Sequence, residues 1–415
     1  MSALDAKLRV AQPKALATLI RLLGGIDSAE DALQEAMARA VETWPRRGVP
    51  DNAVAWLVTT GRNHAVDQIR RRSLEARHVK GLAALPAEAA GEYAEDLLRG
   101  HVEDDLLRLI FTCCHPALGT EAQVALTLKT VAGLTVEQIA RAFLTAPKTM
   151  EQRLTRAKRK ISVAGIPYQV PPPGELPGRL GAVLAVVYLI FNEGYSAGTS
   201  DPDDRGQLCV EAIRLGRLLA QLFRREPEVA GLLALMLLHH SRRAARTDGG
   251  GEVVPLDEQE RGRWDRAAIT EGLALAERAL RAKRPGPFQI QAAIAAVHCS
   301  AARAADTDWA EIAELYQLLE RYQPSPVVTL NRAVAVAKTG GAAAGMALLR
   351  TIEDQPDMQR YPYFHGAVAA LLAEDGQPED AVAAYERALA LTPNEGERAF
   401  IRRRIAALGR GSGAA

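Results

Sequence analysis

Only four cysteines occur in 415 residues, Cys113, Cys114, Cys209 and Cys299. The adjacent pair is poorly placed to bond to itself, so no disulfide framework is read here. Neither Cys209 nor Cys299 has a partner at C-x2-C spacing, which argues against zinc. Cys113 and Cys114 end the apolar run Leu109–Cys114 and read as core. His239 and His240 would diverge by about 100° on a helix and could not readily share a metal. No P-loop, GxGxxG or HExxH occurs, so no enzyme, cofactor or metal is expected. No apolar stretch reaches about 18 residues, the run 180–191 being too short. The N-terminus is interrupted by Asp5, Lys7 and Arg9, unlike a signal peptide. These absences predict a soluble cytoplasmic protein without a membrane span.

Aromatics are scarce as well, at 5%. Runs of Val, Ile, Thr and Tyr are few. Ala, Leu and Arg dominate, and these are among the best helix formers. An all-α chain is predicted. Residues 1–75 read as a first helical domain, with a loose acidic linker over 76–104. Helical periodicity returns over 105–163. A hinge at 164–178 holds Gly165, Pro167, Pro171, Pro172, Pro173, Gly174 and Pro177 and cannot be helix. Residues 179–415 form a second helical body. The 34-residue tetratricopeptide spacing fits 362–395 through Gly376, Ala381, Tyr385, Ala388 and Pro393. Ile312, Tyr316, Leu319 and Pro324 fit it two repeats earlier, with Ala347 marking a weaker repeat between. Degenerate repeats are therefore expected from about 290.

Net charge is only +1, yet charge is better read by segment. Residues 146–160 hold Lys148, Arg153, Arg156, Lys158, Arg159 and Lys160 against Glu151 alone, a net of +5. Just before them, Val136, Ile139, Ala140 and Phe143 share one face of a short helix. Thr135 and Gln138 have capping-box spacing. Thr145 is expected to cap the next helix, with Pro147 in its first turn. Met150, Leu154, Ala157 and Ile161 form that helix's buried stripe. At about 100° per residue, Glu151, Gln152, Thr155, Arg156 and Arg159 fall opposite. Amide, hydroxyl and guanidinium groups on one outer face suit base edges and phosphates. The pair reads as a helix-turn-helix.

In the first domain, helix 29–44 places Leu33, Met37, Ala40 and Trp44 inward and Asp31, Glu35 and Glu42 in a narrow outer wedge. Such a stripe suits a basic partner helix. Helix 53–72 buries Leu57, Gly61, Ala65 and Ile69. Trp56, Thr59, Asn63, Asp67 and Arg70 gather outside, before Arg70-Arg71-Arg72. An aromatic and an amide beside cations suit unstacked bases, although core packing is the commoner fate of a lone tryptophan. These features leave open a promoter-recognition factor, a plain helix-turn-helix regulator with a helical sensor domain, and a repeat scaffold.

Taken in series, Asp27-Ser-Ala-Glu-Asp-Ala-Leu-Gln-Glu35, Trp56-Leu57, Arg62-Asn63-His-Ala-Val-Asp67 and Arg70-Arg71 resemble sigma region 2. Gly133-Leu-Thr-Val-Glu-Gln-Ile-Ala140 through Thr149-Met-Glu-Gln-Arg153-Leu-Thr-Arg156 resembles sigma region 4. Over 5–163 the chain is similar to extracytoplasmic-function (ECF) sigma factors of the sigma-70 family. Thr112-Cys-Cys-His-Pro116, Tyr188-Leu-Ile-Phe-Asn-Glu-Gly-Tyr195, His240-Ser-Arg-Arg-Ala-Ala-Arg246, Asp248-Gly-Gly-Gly251 and Pro287-Phe-Gln-Ile-Gln-Ala292 extend this. They resemble the subgroup with a tetratricopeptide-like extension, which typically lacks a dedicated anti-sigma protein and uses the extension for control.

The resemblance implies core RNA polymerase and promoter DNA as partners. Asp31, Gln34, Glu35 and Glu42 would dock on the polymerase. Trp56, Asn63, Asp67, Arg70 and Arg71, with the loop Arg46–Asn52, would serve the minus-ten element. Lys148, Glu151, Gln152, Arg153, Thr155, Arg156 and Arg159 would serve the minus-thirty-five element, where many relatives carry a basic residue in place of Glu151. Linker 76–104 would thread toward the polymerase cleft. The hinge would allow an intramolecular contact between the extension and the sigma domains.

Overall fold

Apolar stripes and proline breaks divide this chain into helices of modest length. The computed structural model describes residues 3–75, 102–143, 145–196, 202–248 and 252–411. Most of the linker expected over 76–104, and Gly249–Gly251, lie outside the described residues. Among the described residues all regular structure is helical, apart from one antiparallel bridge between Thr247 and Val253. Two units form, Met1–Ile190 and Phe191–Ala415.

The first unit begins with α1 (Ala3–Leu23), α2 (Ile26–Arg47) and α3 (Ala53–Glu75), which pack on one another. Small residues on α2 let them close: Ala29, Ala32, Ala36 and Ala40 are buried beside Leu33 and Trp44. At Gly61 an added Cβ would lie 2.9 Å from the Ala32 carbonyl oxygen, so a side chain there would push α2 and α3 apart. The Asn52 side chain accepts a hydrogen bond from the Ala55 amide at 3.0 Å and caps α3.

Next come α4 (Val102–Cys113), α5 (Thr120–Thr130), α6 (Val136–Ala142) and α7 (Pro147–Val163). Asp105 on α4 is fully buried and accepts from Arg21 of α1 and Arg108, each at 2.9 Å. The Tyr168 hydroxyl is shared between the carbonyls of Ala17 (2.8 Å) and Asp105 (3.0 Å). Residues 164–175 carry no helix, and Tyr168 fixes this stretch against α1 and α4. The hinge expected over 164–178 ends early, because Pro177 is accommodated in the first turn of the helix that begins at Leu176.

Helix α8 (Leu176–Ser196) is, by length and composition, apolar enough to cross a membrane. The run 180–191 is thus extended by helix at both ends. Its Val183, Leu184, Val187, Ile190 and Phe191 are buried within protein, and 39% of the apolar window is buried in all. All four cysteines are buried and free. Burial pushes the thiols of Cys114 and Cys209 up to about 11, and that of Cys113 higher still. They pack as small apolar groups and hold little thiolate at neutral pH.

The second unit holds α9 (Pro202–Leu222), α10 (Pro227–His240), α11 (Arg266–Arg281) and α12 (Pro287–Ser300). Helix α10 is buried from Val229 to Leu238. A Cβ on its Gly231 would sit 2.7 Å from the Gln289 amide nitrogen, so glycine is what lets α12 cross there. Glu228 accepts from the Gln289 amide at 3.0 Å and from that of Phe288 at 3.2 Å, covering the exposed donors of α12.

Antiparallel helices follow: α13 (Trp309–Tyr322), α14 (Pro326–Gly340), α15 (Ala342–Arg350), the short α16 (Pro356–Gln359), α17 (Pro362–Glu374), α18 (Pro378–Leu391) and α19 (Glu395–Gly411). The repeat template holds at both ends. Ile312, Leu319, Ala381, Tyr385 and Ala388 are buried, and Gly376 turns the chain at φ +76°. The middle repeat differs: Ala347 is exposed, and Gly345 fills the tight position against the Ala333 carbonyl and Ala337. Because α15 starts at Ala342, its register falls two residues early. Helix α19 reaches back by Arg404 to Glu258 (3.0 Å) and Arg403 to Glu252 (3.1 Å).

Candidate nucleic-acid and polymerase interface

The capping box predicted for α6 is present. Thr135 N–H donates to Gln138 Oε1 at 2.8 Å, and Gln138 N–H donates to Thr135 Oγ1 at 3.2 Å. For α7 the cap is Ala146, with no side-chain bond, where Thr145 was expected. Pro147 occupies the first helical position, and the residue before a proline is driven to extended geometry, here φ −70° and ψ 141°. Met150, Leu154, Ala157 and Ile161 are the buried stripe, as the periodicity predicts.

Opposite that stripe Lys148, Glu151, Gln152, Thr155, Arg156 and Arg159 are exposed. At about 100° per residue they occupy an arc of roughly 140° beginning at Glu151. Arg153 falls about 200° round, beside the stripe. It is half-buried and pairs with Glu121 at 3.0 Å, so it is not presented with the others. Arg156 Nε donates to the Gln152 carbonyl at 3.3 Å, lying along its own helix. Surface exposure thus follows helical rotation, and the sequence charge of +5 overstates the charge offered outward.

Lys158 has the more consequential placement. It pairs with Asp27 at 2.6 Å and Glu30 at 2.9 Å, both on α2. Burial alone lowers the Lys158 ammonium, but its hydrogen bonds to Asp27 and Glu30 outweigh this and hold it above the usual lysine value. A raised lysine contributes stability that is intact below its unfolded value of 10.5 and lost as pH rises through the folded value. The separation between fluorophores on α2 and α7 is therefore expected to stay constant from about pH 7 to about pH 9. In the double variant Asp27→Asn, Glu30→Gln it should lengthen at neutral pH. No change in that variant would show that other contacts hold α7 to α2. Sequence reading counted Lys158 only as net charge, since nothing local links it to acids more than 120 residues away.

On α2, Asp31, Gln34 and Glu42 are exposed, and half-exposed Glu35 pairs with Arg39 at 3.0 Å. At about 100° per residue Asp27 falls within this face, between Gln34 and Asp31, and Glu30 on its flank. On α3, Trp56 is half-buried, and its ring meets that of Trp44 in a T-shaped contact at 5.3 Å. Asn63 is half-exposed and Asp67 exposed. Arg70 and Arg71 belong to α3, and their side chains lie outside the described residues. Among the described residues no group of three or more His, Cys, Asp or Glu is arranged to hold a metal.

Comparison with known proteins agrees with this geometry. A family model for Sigma-70 region 2 matches residues 9–75, and one for Sigma-70 region 4 matches residues 108–161. Residues 179–280 match a family of unknown function. An uncharacterized protein of Rhizobium meliloti (strain 1021) is 48% identical over 410 residues, covering 97% of this chain and 95% of that protein. The region 2 match separates the chain from a plain helix-turn-helix regulator, and the two regions together give it a role in transcription initiation with core RNA polymerase and promoter DNA. The chain belongs to the ECF-type sigma factors of the sigma-70 family, in the form that carries a C-terminal extension.

Proposed function

We propose that this sigma factor divides its work among three surfaces. Asp31, Gln34, Glu35 and Glu42 on α2 dock on a basic helical element of core polymerase. Trp56, Asn63, Asp67, Arg70 and Arg71 on α3 receive the unpaired bases of the minus-ten element. Lys148, Glu151, Gln152, Thr155, Arg156 and Arg159 on α7 engage the minus-thirty-five duplex, whereas Arg153 braces α7 against α5 through Glu121. The reading rests chiefly on the exposed polar arc of α7, whose opposite face is wholly buried. Glu151 accepts a hydrogen bond from a cytosine amino group and repels phosphate, which selects a particular base at one position. The protein acts in the cytoplasm, with the polymerase.

The extension regulates this activity, and a contact between it and the sigma domains is part of the proposal. Its antiparallel helices support the reading, since such stacks present surfaces for helices and peptides.

Capture of purified core polymerase by the full chain, followed by run-off transcription on genomic DNA, tests the assignment. Wild type is expected to bind core and impose promoter selectivity. Glu35→Lys should weaken capture without altering the melting temperature. Unchanged capture would reduce the acidic face of α2 to a solvated surface.

A further inference from the structure

Helix α10 ends on His239-His240 and leads into Ser241-Arg242-Arg243-Ala-Ala-Arg246, a segment to which transcription initiation gives no task. Arg242 is 8% exposed and Arg261 is 9% exposed. Burying a guanidinium is costly unless a carboxylate or another anion faces it. Here the hydrogen bonds run to neutral groups. Arg242 Nη2 donates to the Tyr195 hydroxyl at 3.1 Å and meets His239 Nδ1 at 2.8 Å. Its Nε is buried without an acceptor. Arg246 lies over the Tyr195 ring at 3.7 Å and donates to the Tyr195 carbonyl at 2.6 Å. One tyrosine therefore carries a guanidinium at its hydroxyl edge and another on its face.

Arg261 adds charge to the same place. It is held by the carbonyls of His298 (2.5 Å) and Ala301 (2.7 Å), and its Nε is also buried without an acceptor. Burial, then Arg242 and Arg246, keep His239 neutral. Burial, then Arg242 and Arg261, lower His298 to about 4. Asp306, whose charge acts on Arg261, is paired with Arg303 at 2.7 Å, and Asp265 caps α11 through the amides of Ala267 and Ala268. Among the described residues no carboxylate stands within ion-pair distance of Arg242, Arg246 or Arg261.

We propose that Arg242 and Arg246, with Tyr195 between them and Arg261 behind, form a binding site for the phosphate group of a small metabolite. Three guanidinium charges facing neutral groups favour a dianion over a single carboxylate, and the planar guanidinium matches phosphate oxygens. Deep burial of Arg242 favours a small molecule over a nucleic-acid backbone. Half-buried Arg246 gives the approach from solvent. The site would make the extension a sensor of phosphorylated compounds. Binding can be measured without polymerase, so its failure leaves the transcription assignment untouched, and the reverse.

The test is thermal unfolding and calorimetry of the full chain, in chloride or inorganic phosphate at matched pH and ionic strength. Inorganic phosphate and β-glycerophosphate are each expected to raise the melting temperature of the second unit by about 5 °C at saturating concentration. A short phosphodiester oligonucleotide should not. Arg242→Gln should abolish the shift. Arg246→Gln, at a half-buried position, should reduce calorimetric affinity at least tenfold and covers the case in which Arg242→Gln fails to fold. Arg350→Gln, at an exposed position on α15, should respond as wild type. A wild-type protein indifferent to both phosphates overturns the site. So does an equal response in wild type and Arg246→Gln, or a response to citrate alone.

Discussion

Asp105→Ala is expected to destabilise the Met1–Ile190 unit by about 3 kcal/mol, the lower end of the range for breaking a buried ion pair. Asp105 is fully buried, whereas its partners Arg21 and Arg108 are 26% and 28% exposed. Removing the acid leaves two cations that partly regain water, and this keeps the loss from the upper end. For a unit of this size the melting temperature should fall by roughly 6–12 °C. The transition of the second unit should not move. Asp105→Asn, which keeps the volume and can still accept a hydrogen bond, should cost less than Asp105→Ala. Calorimetry of the full chain checks all three. An unshifted first transition would mean that packing alone holds α1 to α4.

Arg156→Ala should lower promoter-directed transcription about 10- to 100-fold, the range expected for losing one good base contact. Capture of core polymerase should be unaffected, because Arg156 is exposed on α7 and touches neither α2 nor α3. Two contact types give different signatures. If Arg156 reads a base, the loss is confined to promoters with that base at one position. If it holds a phosphate, the loss is uniform and the slope of log affinity against log salt flattens by about 1. Loss of core binding as well would point to misfolding. An unchanged rate on every promoter would remove the α7 arc from the DNA interface.

How much of this was legible beforehand differs by element. The inward stripe of α7 was read without error, since a helix whose apolar residues recur every three or four positions has one way to bury them. The α6 capping box was read for a similar reason, as its two bonds lie within four residues. Thr145 has the residue type of a cap but Ala146 takes the position, because the demand of Pro147 on the residue before it outranks the preference for threonine. In the middle repeat the 34-residue period placed Ala347 inward, but Gly345 took the tight position when α15 began early. A period fixes a register only where the helix starts on time. Trp56 divides the difference, packed against Trp44 yet only half-buried.

What the amino-acid order determined by itself was the helical class, the buried stripe of α7 and the two sigma regions. These are local properties, carried by spacings of four residues and by motifs of about ten. What the tertiary structure decided was which charged groups meet: Lys158 with Asp27 and Glu30, Arg21 with Asp105, Arg404 with Glu258, and Arg242 with no carboxylate among the described residues. Such pairings arise when separately formed helices dock. Their energy depends on distance and solvent exclusion, neither of which a linear pattern encodes.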